Sequence, residues 1–176
     1  MGNQHFAFPM LMDQAPFNDI NVRKALKYII NLQEMVDQIL QGHGKVGNDH
    51  PIGPANQYFA SEIPQLELDI DRAKFHMKLA EITELNIDLF ASDVAFNGAT
   101  DAANLYQATL KNAGININVV KGPTNDYWTN VWRKKVGAPL IALVAQQKIG
   151  CFLTPTSLGC PGTMVTGKTH VFKNFF

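Results

Sequence analysis

Residues 85–120 read LNIDLFASDVAFNGATDAANLYQATLKNAGININVV, and this stretch decides the fold. Its first nine and last six residues alternate between apolar and polar, a period of two that is typical of strands with one buried face. Between them, apolar residues recur at helical spacing: Ala103, Leu105, Tyr106, Ala108 and Leu110. Asn97 or Thr100 is the expected helix cap, and Gly114 the expected end. A helix of this length permits a crossover, so we predict a parallel, right-handed β-α-β unit and an α/β fold.

Two short helices joined by a tight break are predicted upstream, in the segment PFNDINVRKALKYIINLQEMVDQILQGHG at 16–44. Asn18 or Asp19 can cap the first helix, because a short polar side chain can accept a hydrogen bond from a free N–H group of the first turn. Asn31, with Glu34 three residues later, resembles a capping box that opens the second helix. Gly42 is the expected end of that helix.

Weaker patterns surround these elements. The N-terminal HFAFPMLMD contains a proline, which favours an edge or connecting strand over a helix. The stretch His43–Pro64 is rich in glycine, proline and asparagine and predicts a long loop. A helix is expected to begin at Asp69 or Asp71, and a last helix near Thr124.

The overall composition argues against two classes of partner. Lys plus Arg and Asp plus Glu both number 15, so no net field favours nucleic acid or an anionic membrane surface.

No apolar run approaches the roughly 20 residues of a membrane-spanning helix. The first residues, MGNQHFAFPMLMDQ, lack the basic start and apolar middle of a signal peptide, so we expect neither a membrane span nor a signal peptide in this chain.

Charge is distributed unevenly along the chain. Residues 1–135 contain all 15 acidic residues and 12 of the basic ones. The remaining 41 residues, 136–176, contain three lysines and no acidic residue. The same tail holds both cysteines, five glycines and five threonines. The composition therefore predicts that the residues after Lys135 differ from the rest of the chain and that the tail at 136–176 is atypical and poorly packed.

Three segments resemble the extracytoplasmic solute-binding proteins of family 5, which serve dipeptides, oligopeptides and nickel. The first and most specific is PFNDINVRKALKYIINLQEMVDQILQGHGKVGNDHPI at 16–52, with its PF-D-x-x-VR-x-AL start, helix pair and G-x-G loop. DIDRAKFHMKLAEI at 69–82 and LYQATLKNAGININVV at 105–120 follow in the family's order. The resemblance extends over roughly residues 5–135.

The resemblance implies an incomplete α/β lobe of the periplasmic-binding-protein type II class, with 1–135 as part of a second lobe. It implies non-covalent capture of a peptide or other small solute, with an ABC transporter permease as the partner of the parent protein. It also implies an extracytoplasmic location, no catalysis and no cofactor. Because the first lobe is not in this sequence, we expect the chain by itself to bind little ligand.

The codons for the tail can also be read in a second frame. When the third base of each codon is read with the first two bases of the next, residues 146–152 permit TEDWMF and residues 160–176 permit PWNDGYWKNPRFQKLL. Both strings resemble what the family has after this point. We therefore hypothesise that a change of reading frame near Lys135 replaced the family sequence, together with residues that face the ligand.

The segment GTMVTGKT supports an alternative functional interpretation. Its residues Gly162, Gly167, Lys168 and Thr169 match the sequence motif of a phosphate-binding loop. That loop must connect an apolar strand to a helix, and the tail predicts no helix there. A small nucleotide-binding protein that uses Gly162–Thr169 is thus the alternative function. Cys151 and Cys160 lack the second pair of ligands that a zinc site needs, so free cysteines are expected.

Two groups of residues are the candidate ligand contacts. Asn48, Asp49 and His50 lie in the glycine-rich loop from Gly42 to Pro54, and Tyr127 and Trp128 lie in an aromatic segment. Loop histidines are more often solvated, and large aromatic residues more often belong to a core. The prediction of solute contacts therefore stands beside a purely structural one, and no catalytic or metal-binding residues are predicted.

Overall fold

A computed structural model describes residues 5–8, 10–47 and 59–131, together with three short strands nearer the C-terminus. The helices are α1 (Ile20–Tyr28), α2 (Leu32–Ile39), α3 (Ile70–Leu79) and α4 (Ala99–Lys111). The strands are β1 (His5–Ala7), β2 (Met10–Leu11), β3 (Leu85–Ala91), β4 (Ile115–Lys121), β5 (Ala142–Val144), β6 (Thr169–His170) and β7 (Asn174–Phe175). The fold is mixed α/β, as predicted.

The predicted β-α-β unit is confirmed. β3 and β4 are parallel and in register from Leu85 opposite Ile115 to Ala91 opposite Lys121, and α4 connects them. Alternate residues of both strands are buried beneath α4, as the apolar-polar alternation requires. On the opposite face, Asn118 donates a hydrogen bond to Asp88 across the strands at 2.9 Å.

The start of α4 differs from the prediction that Asn97 or Thr100 caps it. Gly98 precedes the helix with φ +91°, and the N–H of Thr100 donates to Oδ1 of Asp93 at 3.1 Å. A Cβ atom at Gly98 would lie 3.1 Å from Cγ2 of Ile39 in α2. Both the left-handed backbone and the close approach of α2 favour glycine there, and the cap comes from seven residues upstream.

The caps of the other helices follow the sequence closely. Asp19 caps α1 by accepting from the N–H of Asn21 at 2.7 Å. The side-chain oxygen of Asn31 accepts from the N–H of Glu34 at 3.2 Å, and the Asn31 amide donates to the Glu34 carboxylate at 3.1 Å. Of the two aspartates expected at α3, Asp69 is the cap.

A continuous core lies between the helices and the β3–β4 pair. Phe8, Phe17, Leu26 and Tyr106 are among its buried side chains. The Tyr106 hydroxyl donates to the backbone carbonyl of Leu26 at 3.0 Å, which satisfies the buried hydroxyl and ties α4 to α1. The core therefore joins the β-α-β unit to the helix pair as one body.

Residues beyond 131 are described as three strands only. β5 and β7 pair antiparallel with β1, and β6 pairs antiparallel with β2. The helix expected from Thr124 is instead a single π-helical turn, Tyr127–Val131, within the described range. The packing of the tail at 136–176 stays a prediction, because its side chains lie outside the described residues.

Candidate functional site

The carboxyl ends of the two parallel strands meet at one edge of the fold. The N–H of Gly122, directly after β4, donates to the carbonyl of Ala91 at the end of β3 at 2.8 Å. The loop 92–98 therefore leaves the sheet beside the loop 122–126. In open sheets of parallel strands, this is the edge at which ligands usually bind.

Gly122 permits the close packing of Tyr127 at this edge. A Cβ atom on Gly122 would lie 3.0 Å from Cδ2 of Tyr127 and 3.5 Å from the Ala91 carbonyl oxygen. The 3.0 Å contact is tighter than ordinary van der Waals contact, so the Tyr127 ring would have to move by a few tenths of an ångström to accept a methyl group at Gly122. The glycine therefore holds the aromatic turn against the end of the sheet.

The two aromatic candidates differ in their burial. Tyr127 is fully buried in the core, and burial raises the pKa of its phenol above the ordinary range. The Trp128 ring packs edge-on against the Tyr127 ring with centroids 5.3 Å apart, and 43% of Trp128 is exposed. Trp128 is thus the candidate that presents an aromatic surface, and Tyr127 supports it from within the core.

An open groove of about 590 Å³ lies beside the same edge, between the end of α2 and the start of α4. Its lining is mainly amide and carboxylate side chains: Gln38, Gln41, Asp93, Asn97, Asp101 and Asn104. Such groups can donate to and accept from a peptide backbone. Asp93 also caps α4, so this carboxylate is fixed in position at the rim.

The sequence-predicted residues and the observed surfaces overlap only in part. Asn48, Asp49 and His50 lie outside the described residues, and so does most of the Gly42–Pro54 loop. The groove residues were not predicted. The available signal was topological, because Asp93 and Asn97 directly follow a parallel strand.

No three His, Cys, Asp or Glu side chains within the described ranges come together as a metal site. The phosphate-loop candidates also lie outside these ranges, except for the Thr169 backbone, which starts β6. A phosphate loop places this threonine at the start of a helix.

A family model for the bacterial extracellular solute-binding proteins, family 5, matches residues 1–143. The chain belongs to this family. The match continues eight residues beyond Lys135, into β5.

Proteins of family 5 resemble this chain in sequence and in fold. The dipeptide-binding protein of Escherichia coli is 27% identical over 120 residues, which is 66% of this chain and 22% of that protein. The Helicobacter pylori periplasmic binding protein DppA, solved with the peptide STSA, superposes with a TM-score of 0.69 at 19% identity, over 84% of this chain and 28% of its own. Staphylococcus aureus NikA, solved with Ni(L-His)2, gives 0.67 at 21% identity, over 81% and 30%.

These relatives establish a partial lobe of the type II periplasmic-binding-protein fold. The chain spans about a quarter of the length of the relatives it matches. Members of family 5 are extracytoplasmic, bind peptides and other small solutes without transforming them, and work with ABC transporter permeases. No helix in the described part of this family 5 chain is long and apolar enough to cross a membrane.

Replacing Gly122 with alanine should disturb the aromatic turn. We expect Gly122→Ala to destabilise the chain by about 1–3 kcal/mol, because the added methyl group meets the Tyr127 ring, and to shift the tryptophan emission spectrum. Gly114→Ala is the control, since Gly114 has φ +78° but no atom within 4 Å of the added methyl group. The control should lose stability without a shift in emission. Wild-type stability and emission in Gly122→Ala would show that Tyr127 is not held as described.

Proposed function

We propose that this chain contributes one wall of a solute-binding cleft, with a peptide or similar small solute as ligand and uptake by an ABC transporter as the process. The proposal rests on the edge at which β3 and β4 end: Trp128, in the turn after β4, is 43% exposed, and Asp93 and Asn97 of the polar groove follow β3. An aromatic face beside convergent amides and carboxylates suits a peptide, which has both apolar and polar groups. Membership of family 5 supports the same process and an extracytoplasmic location.

Within this proposal the candidate contacts have different roles. Trp128 offers the ring against which a side chain of the ligand can pack, and Tyr127 holds that ring in place. Asp93 and Asn97 at the end of β3 supply hydrogen-bonding groups on the groove side. Asn48, Asp49 and His50 are proposed as further contacts from the loop after α2. No cofactor and no catalytic group takes part.

Affinity of this chain alone is proposed to be low. A ligand cleft excludes water when it encloses most of the surface of the ligand, and an exposed edge with an open groove encloses one side only. The chain corresponds to 28% of the Helicobacter pylori protein that was solved with a peptide. The opposite wall of the cleft belongs to the part of such proteins that this chain does not match.

Titration of the isotope-labelled chain with a dipeptide and a tetrapeptide, followed by amide chemical shifts, tests both site and affinity. We expect shifts confined to residues 38–50, 92–104 and 122–128 and a dissociation constant no tighter than about 1 mM. Trp128→Ala should reduce the shifts, whereas Phe75→Ala, on a helix away from this edge, should leave them unchanged. Micromolar binding would contradict the single-wall proposal, and shifts elsewhere would contradict the site.

For the tail, we propose that the reading frame changes between residues 143 and 146. The family 5 match continues to residue 143, and the first of the two family-like strings that the other frame permits starts at Gln146. The proposed position is later than the one near Lys135 that the composition predicts. It also accounts for the absence of carboxylates from Gln146 onward, because codons read out of frame encode residues that were never selected for this fold.

The nucleotide sequence of codons 140–176 tests this proposal directly. We expect a one-base shift within codons 143–146 to give an uninterrupted reading that contains TEDWMF and PWNDGYWKNPRFQKLL. A shifted reading interrupted by stop codons, or one that contains neither string, would overturn it. The result leaves the proposed ligand edge untouched, because that edge lies within residues 92–128.

A further inference from the structure

The groove between the end of α2 and the start of α4 presents hydrogen-bond acceptors. The side-chain nitrogen of Gln38 donates to the Glu34 carboxylate at 2.9 Å, so the carbonyl oxygen is the end of this amide that is left for a ligand. Oδ1 of Asp93 accepts from the N–H of Thr100, which holds this carboxylate at the rim. Asp101 adds an exposed carboxylate in the first turn of α4. These groups suit a ligand group that donates hydrogen bonds.

Two aspartates set the charge of this groove. The described residues that line it include Asp93 and Asp101 and no basic side chain. The C-terminal end of α2 has a negative partial charge and the N-terminal end of α4 a positive one of similar size, so the two helix ends offset each other. The two carboxylates therefore leave the groove negative, and a positively charged group of the ligand is favoured there.

The groove also has length and an apolar lining. Its α4 residues recur at spacings of three or four, which places them on one face of the helix: Gly98, Asp101, Asn104 and Leu105. At a rise of 1.5 Å per residue, this row extends for about 10 Å. Leu105 and, from α2, Ile39 are partly buried and pack against the core. A ligand group with an apolar stem and a positively charged head fits this combination.

We propose that this groove receives a cationic side chain of the solute, that of lysine or arginine. The proposal rests on the proposed function, because it assigns a selectivity to the same ligand edge. The ammonium or guanidinium head donates to Asp93, Asp101 and the Gln38 carbonyl, and the methylene stem packs on Ile39 and Leu105. The free amino terminus of a peptide carries the same charge without the stem, and an anionic side chain is repelled.

Titration of the isotope-labelled chain at low ionic strength with three tripeptides tests the proposal. The peptides are Ala-Lys-Ala, Ala-norleucine-Ala and Ala-Glu-Ala, with both ends blocked so that only the central side chain differs in charge. We expect the lysine peptide to shift the amides of 38–41 and 97–105 and to bind about threefold more tightly than the norleucine peptide, as for an exposed ion pair. The glutamate peptide should bind most weakly.

A fourth peptide separates the two sources of positive charge. Ala-norleucine-Ala with a free amino terminus has the charge but lacks the cationic side chain. We expect it to bind less tightly than the blocked lysine peptide and to shift the amides of 97–105 less. Equal binding and equal shifts would show that the groove recognises a terminus, and would overturn the assignment to a side chain.

Asp101→Asn removes one charge from the groove and should lower the threefold preference for lysine over norleucine to below about twofold. Asp71→Asn is the matched control, because Asp71 is likewise an exposed aspartate in the first turn of a helix, α3, but does not line the groove. This control should keep the full preference. A preference that is the same in both variants would overturn the proposal.

The remaining outcomes separate this subsite from the ligand edge itself. If the lysine and norleucine peptides bind equally and both shift 92–98 and 122–128, the cationic subsite is wrong and the proposed function stands. If none of the peptides shifts any amide, both are overturned.

Discussion

The parallel pairing of β3 with β4 is the constraint on which the rest of the structure depends. Two parallel neighbours need a crossover, and α4 supplies it while covering the apolar face of the pair. Because both strands run the same way, their carboxyl ends meet at one edge, where Gly122 bonds to Ala91. That edge brings the loop after β3 beside the aromatic turn after β4, and through Tyr106 the same helix is tied to α1. The candidate ligand surface is thus a consequence of topology.

Local hydrogen bonds explain which parts of the fold the sequence could predict. Asp19, Asn31 and Asp69 bond to N–H groups two or three residues away, so their roles are visible in a short window of sequence. The start of α4 depends on Asp93, seven residues upstream, and on the approach of Ile39 from another helix. A short segment of sequence around Asn97 does not show that Asp93 caps the helix or that Ile39 approaches Gly98. The strands were predicted more accurately, because an alternation of apolar and polar residues directly reflects which side chains are buried.

The candidate site was predictable to a smaller extent for the same reason. Tyr127 and Trp128 are adjacent in sequence, yet the Tyr127 ring is buried against Gly122 and the Trp128 side chain is 43% exposed, a difference that depends on contacts outside this dipeptide. The groove joins residues of α2 with residues of α4 that lie some sixty positions later. Its polar lining carries no motif. What the sequence did contain was the family pattern of 16–52, and the family model extends that likeness to residue 143.

Native-state hydrogen exchange at increasing denaturant concentration tests the central claim most directly, because it ranks the elements by the free energy at which each opens. If the parallel pair and its crossover organise the fold, amides of β3, α4 and β4 exchange together as the last unit to open, after α3. Exchange of β3 and β4 in separate steps, at lower free energies than α1, would contradict the account.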